Sequence, residues 1–157
     1  MILILDNIRS MHNVGSLFRT ADAAGVRKIY LCGITPTPTD RLGRSREQFV
    51  KVSLGAEKTI PWEYAARTTD AIRKVKRAGA QVIAVEQAPG SRNYAAFKPT
   101  DKKEPAIILG NEVDGVSAAA LKASDVILEI PMSGEKESLN VAVTGGIILF
   151  HFRDCER

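Results

Sequence analysis

Five short apolar runs, at residues 2–5, 28–32, 81–85, 106–109 and 126–130, constrain this chain more than any other feature. Each is too short for a helix, and the last three end at loops holding Gly or Pro, as buried parallel strands do. After the first run, Val14, Leu17, Phe18, Ala21 and Ala24 recur at helical spacing until Gly25, with Asn13 placed to cap the helix. A second amphipathic helix is expected from about residue 63 to 78. It turns Ala65, Ile72 and Val75 inward and gathers Arg73, Lys74, Lys76 and Arg77 before Gly79, where cations suit a helix C-terminus. Residues 139–152 form an apolar segment that includes a helix, weakened in its middle by Gly145-Gly146. Strands alternating with helices predict an α/β fold: a mostly parallel sheet of about five strands with helices on both faces. Residues 1–157 read as a single domain with no appended RNA-binding domain. Such sheets bind ligands beyond the carboxyl ends of their strands. The loops after Val85, Leu109 and Ile130 are therefore the expected binding rim.

Several function classes lose support at once. No Gly-x-Gly-x-x-Gly follows a predicted strand and no Gly-x-x-x-x-Gly-Lys occurs, which argues against dinucleotide and P-loop chemistry. No Gly-x-Ser-x-Gly occurs, and His12 and His151 both read as structural. Cys32 and Cys155 have no neighbours at metal-ligand spacing, so neither a disulfide nor a metal is expected. The apolar run at residues 2–5 is too short for a signal core and no run is long enough to span a membrane, so cytoplasm is the expected location.

The net charge of +4 conceals an asymmetry. Residues 1–103 carry 18 basic and 9 acidic side chains, whereas residues 104–157 carry 4 and 9. Such an excess suits a polyanion approached from one side, although solvated helical faces explain it equally well. The stretch 33–40, with Pro36 and Pro38, forms a loop, and Arg41, Arg44, Arg46 and Lys51 follow it as an exposed basic cluster.

Three polar islands interrupt the apolar pattern: Asn13 to Arg19, Gly110 to Gly115, and Ile130-Pro131-Met132 leading to Ser138-Leu139-Asn140-Val141. In order and spacing they resemble the three signature motifs of the SpoU family of RNA 2′-O-methyltransferases, within the SPOUT superfamily. The similarity runs over nearly the whole chain. It implies a parallel α/β domain whose C-terminal segment threads a trefoil knot, a homodimer as the working unit, and S-adenosylmethionine as methyl donor, bent within the knot. It nominates Val85, Glu86, Gly110, Asn111, Ile130, Met132, Ser138, Leu139 and Asn140 for the cofactor, with no metal. It nominates Arg19 as catalytic, with Asn13, Glu112, Ser138 and Asn140 as polar partners; Arg19, Arg9 and the basic cluster Arg41, Arg44, Arg46 and Lys51 are the expected contacts to RNA.

Chemistry refines two of these roles. A guanidinium, with a pKa above about 12, gives up roughly 7 kcal/mol to act as a neutral base near pH 7. Arg19 is therefore expected to clamp phosphate or stabilise a developing alkoxide. Glu112 is expected to order Asn13 and Arg19 rather than transfer protons. Among substrates, tRNA is favoured over ribosomal RNA, because minimal relatives often act on tRNA and residues 51–58 and 61–64 resemble a branch of tRNA guanosine methyltransferases. The alternatives are ribosomal RNA, a non-catalytic RNA-binding module of the same fold, and an unrelated α/β nucleotide-binding protein.

Overall fold

The structure, a computed structural model, describes residues 1–99 and 103–155. In chain order it comprises β1 (Ile2–Asp6), α1 (Met11–Ala23), β2 (Lys28–Cys32), α2 (Glu47–Ser53), α3 (Ala56–Thr59), β3 (Trp62–Ala65), α4 (Thr68–Arg77), β4 (Gln81–Val85), β5 (Arg92–Asn93), β6 (Pro105–Leu109), α5 (Ala118–Ala123), β7 (Val126–Glu129) and α6 (Val141–Cys155). The sheet runs β3-β2-β1-β6-β4-β7-β5, and every neighbouring pair is parallel.

Alternation along the central strands builds two cores. Leu3 and Leu5 of β1 face α1, α2, α3 and α6, packing with Leu17, Phe18, Phe49, Ala56, Ile148 and Phe152. Ile2 and Ile4 face the other way, onto Ala71, Ile72 and Val75 of α4 and Ala120 of α5. Helices thus cover both faces, and β1 and β6 are buried along their whole length, which explains their unbroken apolar sequence. Each large aliphatic side chain buried this way stabilises the fold by roughly 1.5–3 kcal/mol.

Four expectations change. The sheet has seven strands instead of about five, because β3 and β5 lie at its two edges, where one flank is unpaired and polar residues such as Glu63, Arg92 and Asn93 are tolerated. The helix expected from residue 63 begins at Thr68: Trp62 and Tyr64 pair with Ile29 and Leu31 of β2 as a strand, and Arg67 is still extended. Ser10, not Asn13, caps α1, its hydroxyl accepting the Asn13 N–H at 3.2 Å. Finally, α6 passes unbroken through Gly145-Gly146. A Cβ on Gly145 would lie 2.3 Å from Leu17 Cδ2, so this glycine lets α6 approach α1 closely.

Candidate functional site

The carboxyl ends of β6, β4 and β7 are neighbours in the sheet and open onto a cleft of about 410 Å³, a size suited to a small organic ligand. All nine positions nominated for a cofactor line it: Val85, Glu86, Gly110, Asn111, Ile130, Met132, Ser138, Leu139 and Asn140. At Gly110 the main chain passes so close to the next loop that a Cβ would lie 2.2 Å from the Val116 nitrogen. Asn111 then folds residues 111–115 into a closed turn. Its Oδ1 accepts the N–H groups of Val113 (2.8 Å) and Asp114 (3.1 Å), and its main chain exchanges two bonds with Gly115. Its Nδ2 donates to the Asn7 carbonyl at 2.7 Å, tying the turn to the end of β1.

Glu112 projects from this turn onto the start of α1. Its carboxylate accepts the N–H groups of Arg9 (3.0 Å) and Ser10 (3.1 Å) and the Asn13 amide (3.0 Å), satisfying donors that a helix start leaves orphaned. Burial pushes the Glu112 carboxyl upward, but the donors, led by the Arg9 N–H and the Asn13 amide, outweigh it and hold the group below its ordinary value. With three donors already on it, this ionised acceptor is suited to bracing the start of α1. The Asn140 amide in turn donates to Asn13 Oδ1 at 3.2 Å, while Asn140 Oδ1 accepts the Ala142 N–H at 2.8 Å. Glu112, Asn13 and Asn140 therefore form one chain of hydrogen bonds linking three segments far apart in sequence.

Arg19 is not part of it. The side chain is exposed and lines a second cleft with His12, Ser16, Thr20, Lys51 and Phe150. Glu112 orders Asn13 but, among the described residues, makes no bond to Arg19. The reason is helical phase: six residues turn α1 through roughly 240° beyond a full turn, so Asn13 points to the sheet and Arg19 to solvent. The expected basic cluster is divided too. Lys51 joins Arg19, Arg44 is paired with Asp40 at 2.8 Å, Arg46 leans on the Thr39 carbonyl at 3.4 Å, and Arg41 stands exposed on the turn. Arg9 meets Asp114 at 3.5 Å on the rim.

Some site residues were not anticipated. His12, read as structural, is exposed beside Arg19, whereas His151 is half-buried against Tyr94 and the Phe97 carbonyl. Asp6, fully buried at the end of β1, accepts the Asn7 amide and the Ser117 N–H at 2.8 Å each and the Thr68 hydroxyl, fixing the segment beyond the Gly110 turn. Its signal was a carboxylate directly after a buried strand. Gln87, Val113, Glu129 and Thr144 also line the first cleft. Both cysteines are free, and burial pushes the Cys32 thiol up to about 12. Among the described residues no group of His, Cys, Asp and Glu converges to hold a metal, and no helix is long and apolar enough to cross a membrane.

The same architecture occurs in known proteins. The model of the SpoU rRNA Methylase family matches residues 1–150. A 23S rRNA (guanosine-2′-O-)-methyltransferase, RlmB, of Neisseria meningitidis is 32% identical over 153 residues, covering 98% of this chain and 58% of that protein. Its counterpart in Escherichia coli is 30% identical over 149 residues, 95% of this chain and again 58% of the relative. The chain thus spans somewhat over half the length of these curated relatives. Among solved structures, an AdoMet-bound rRNA methyltransferase from Sinorhizobium meliloti superposes with a TM-score of 0.87 at 34% identity, over 98% of this chain and 55% of that one. An A. aeolicus TrmH/SpoU tRNA modifying enzyme gives 0.83 at 28% identity, over 98% and 74%. With its three motif segments converging at one sheet edge and the family model matching almost end to end, the chain belongs to the SpoU rRNA methylase family.

Proposed function

We propose that this protein transfers a methyl group from S-adenosylmethionine to a ribose 2′-hydroxyl of ribosomal RNA. The observation that carries this reading is the division of charge between the two clefts. The first is lined by Glu86, Glu112 and Glu129 and, among the described residues, by no Lys, Arg or His, which suits a cationic sulfonium; the second presents Arg19, Lys51 and His12, which suits phosphate. The first cleft fits the cofactor: the main chain at Gly110 leaves no room for a side chain, and Ile130, Met132 and Leu139 supply an apolar slot for adenine. When bound, S-adenosylmethionine supplies an electrophilic methyl group. This chain's own part is to orient it, through the Glu112, Asn13 and Asn140 bonds, and to hold the RNA, through the Arg19 fork on phosphate or a developing alkoxide.

Because Arg19 faces away from the cofactor cleft of its own chain, the working unit in this reading is a homodimer in which Arg19 of one copy serves the cleft of the other. An apolar stripe on α6 supports such pairing: Val143 is 51% exposed, and Ile147 and Phe150 on the same face are half-buried. The knot implied by the family resemblance belongs to the same proposal, supported by the return of residues 130–140 across the cleft to α6 and α1. Ribosomal RNA takes the place of tRNA because the curated relatives named above carry 23S rRNA in their names, while a tRNA modifying enzyme is among the structural neighbours at lower identity. This reading assigns the protein to the cytoplasm with its substrate. Incubation with labelled S-adenosylmethionine and, separately, ribosomal RNA and tRNA is expected to label the ribosomal RNA; transfer to tRNA alone reverses the choice of substrate.

A further inference from the structure

Glu86 stands at the centre of the cofactor cleft. β4 lies between β6 and β7, with Val85 in register with both Leu109 and Leu128, so the next residue emerges midway between the other two loops. Its carboxylate is held at both oxygens: Oε1 accepts the Gln87 N–H at 2.9 Å and Oε2 accepts the Val116 N–H at 2.8 Å. Gly115, at φ +69°, closes against it, and a Cβ there would lie 2.2 Å from Oε2. The group is therefore fixed in place before any ligand arrives.

A carboxylate offers about four lone-pair sites, and these bonds use one on each oxygen. The described lining residues include no Lys, Arg or His to take the others. Bridging the two loops needs only the oxygen that meets Val116; the second oxygen, held by the adjacent residue, adds nothing to that bridge. What remains is a rigid, partly exposed acceptor with one free site on each of two neighbouring oxygens. A vicinal diol presents two hydroxyl donors at matching spacing. An acidic side chain on a ribose hydroxyl at the carboxyl edge of a parallel sheet is also a recurrent solution in nucleotide-binding α/β proteins.

We propose that Glu86 accepts the 2′- and 3′-hydroxyls of the adenosyl ribose, so that the cleft selects ligands with an intact ribose diol. The assignment rests on reading this cleft as the cofactor site. It is tested by isothermal titration of the full chain with S-adenosylhomocysteine and its 2′-deoxy and 3′-deoxy counterparts. Loss of either hydroxyl is expected to weaken binding to the wild type roughly ten- to hundredfold, the range for a hydrogen bond to a charged group. Glu86→Gln retains a neutral acceptor for the Val116 N–H and is expected to lose the preference at the hydroxyl that met the replaced oxygen and to keep only a reduced one at the other. Should that variant fail to fold, Glu86→Asp, which withdraws the charge by one methylene, is expected to weaken the preference at both hydroxyls. A wild type indifferent to the missing hydroxyls overturns the assignment while leaving the cofactor site standing. So does a Glu86→Gln protein that binds all three ligands more weakly but keeps the preference in full, since that marks a bridge between loops only. A folded wild type that binds none of the three contradicts the cofactor reading itself, and the diol assignment falls with it.

Discussion

At the scale of single residues, electrostatic partners decide which groups carry stability and which are left for ligands. Glu104 joins the start of β6 to Arg27 at 2.5 and 2.9 Å and to the α-amino group of Met1 at 3.0 Å. The Arg27 guanidinium, working against partial burial and helped by the amino group, lowers the Glu104 carboxyl to about 2. A carboxyl lowered on folding contributes stability that is present above its unfolded value near 4.5 and is lost as pH falls from there towards 2. Because Arg27 is 64% exposed, screening limits the contribution to about 1 kcal/mol. Glu104→Gln is expected to lower stability by that amount at neutral pH and to flatten the acid-side slope of urea-unfolding stability in that window; an unchanged slope contradicts the pairing. The lining of the first cleft was legible through the resemblance of the motif segments, and the geometry supplies a reason, since close approach demands Gly at 110 and a closed turn suits Asn at 111. The position of Arg19 was less so. Its place in a shared motif groups it with Asn13, but the helical period separates them, and the period prevails.

At the scale of elements, packing explains what propensity misjudges. Gly145 lowers intrinsic helicity, yet α6 continues through it because the missing side chain admits Leu17 of α1 and Leu109 of β6, from which a Cβ would lie only 2.3 and 3.1 Å. Gly145→Ala therefore gains propensity and loses fit. Overpacking is expected to win, destabilising the protein by about 1–3 kcal/mol in denaturant unfolding; a stabilised variant shows that the helices are not in close contact there. Strands buried on both faces announced themselves as apolar runs, whereas β3 and β5 did not. β3 carries its edge position in Glu63, which pairs with Lys28 at 2.8 Å and Lys74 at 2.7 Å, and two-residue β5 has too few side chains to show any period. Pairing with β2 keeps residues 62–65 extended, where an amphipathic pattern alone extends the helix.

At the scale of the whole molecule, the sequence reveals an α/β layered fold with its ligand rim at one sheet edge, but not the order of strands. Apolar runs carry no information about which neighbour each will find, and β6, late in sequence, inserts between β1 and β4. The division of basic and acidic halves became two clefts of opposite character, with Glu86 on the acidic side despite lying in the basic half. Arg19 and the first cleft of one chain open separately, and in the proposed reading a dimer unites them. Sedimentation equilibrium is expected to give twice the mass of 17.1 kDa, and Val143→Glu on the α6 stripe to give the monomer without loss of fold; a monomeric wild type contradicts the shared site. Methyl transfer to ribose is tested by mapping the label. Ribosomal RNA from cells lacking the gene is incubated with methyl-labelled S-adenosylmethionine and the protein, wild type or Arg19→Lys, and then digested with alkali. Labelled dinucleotides resistant to alkali, marking a methylated ribose, are expected, with turnover sharply reduced in Arg19→Lys; label recovered on the bases contradicts ribose methylation.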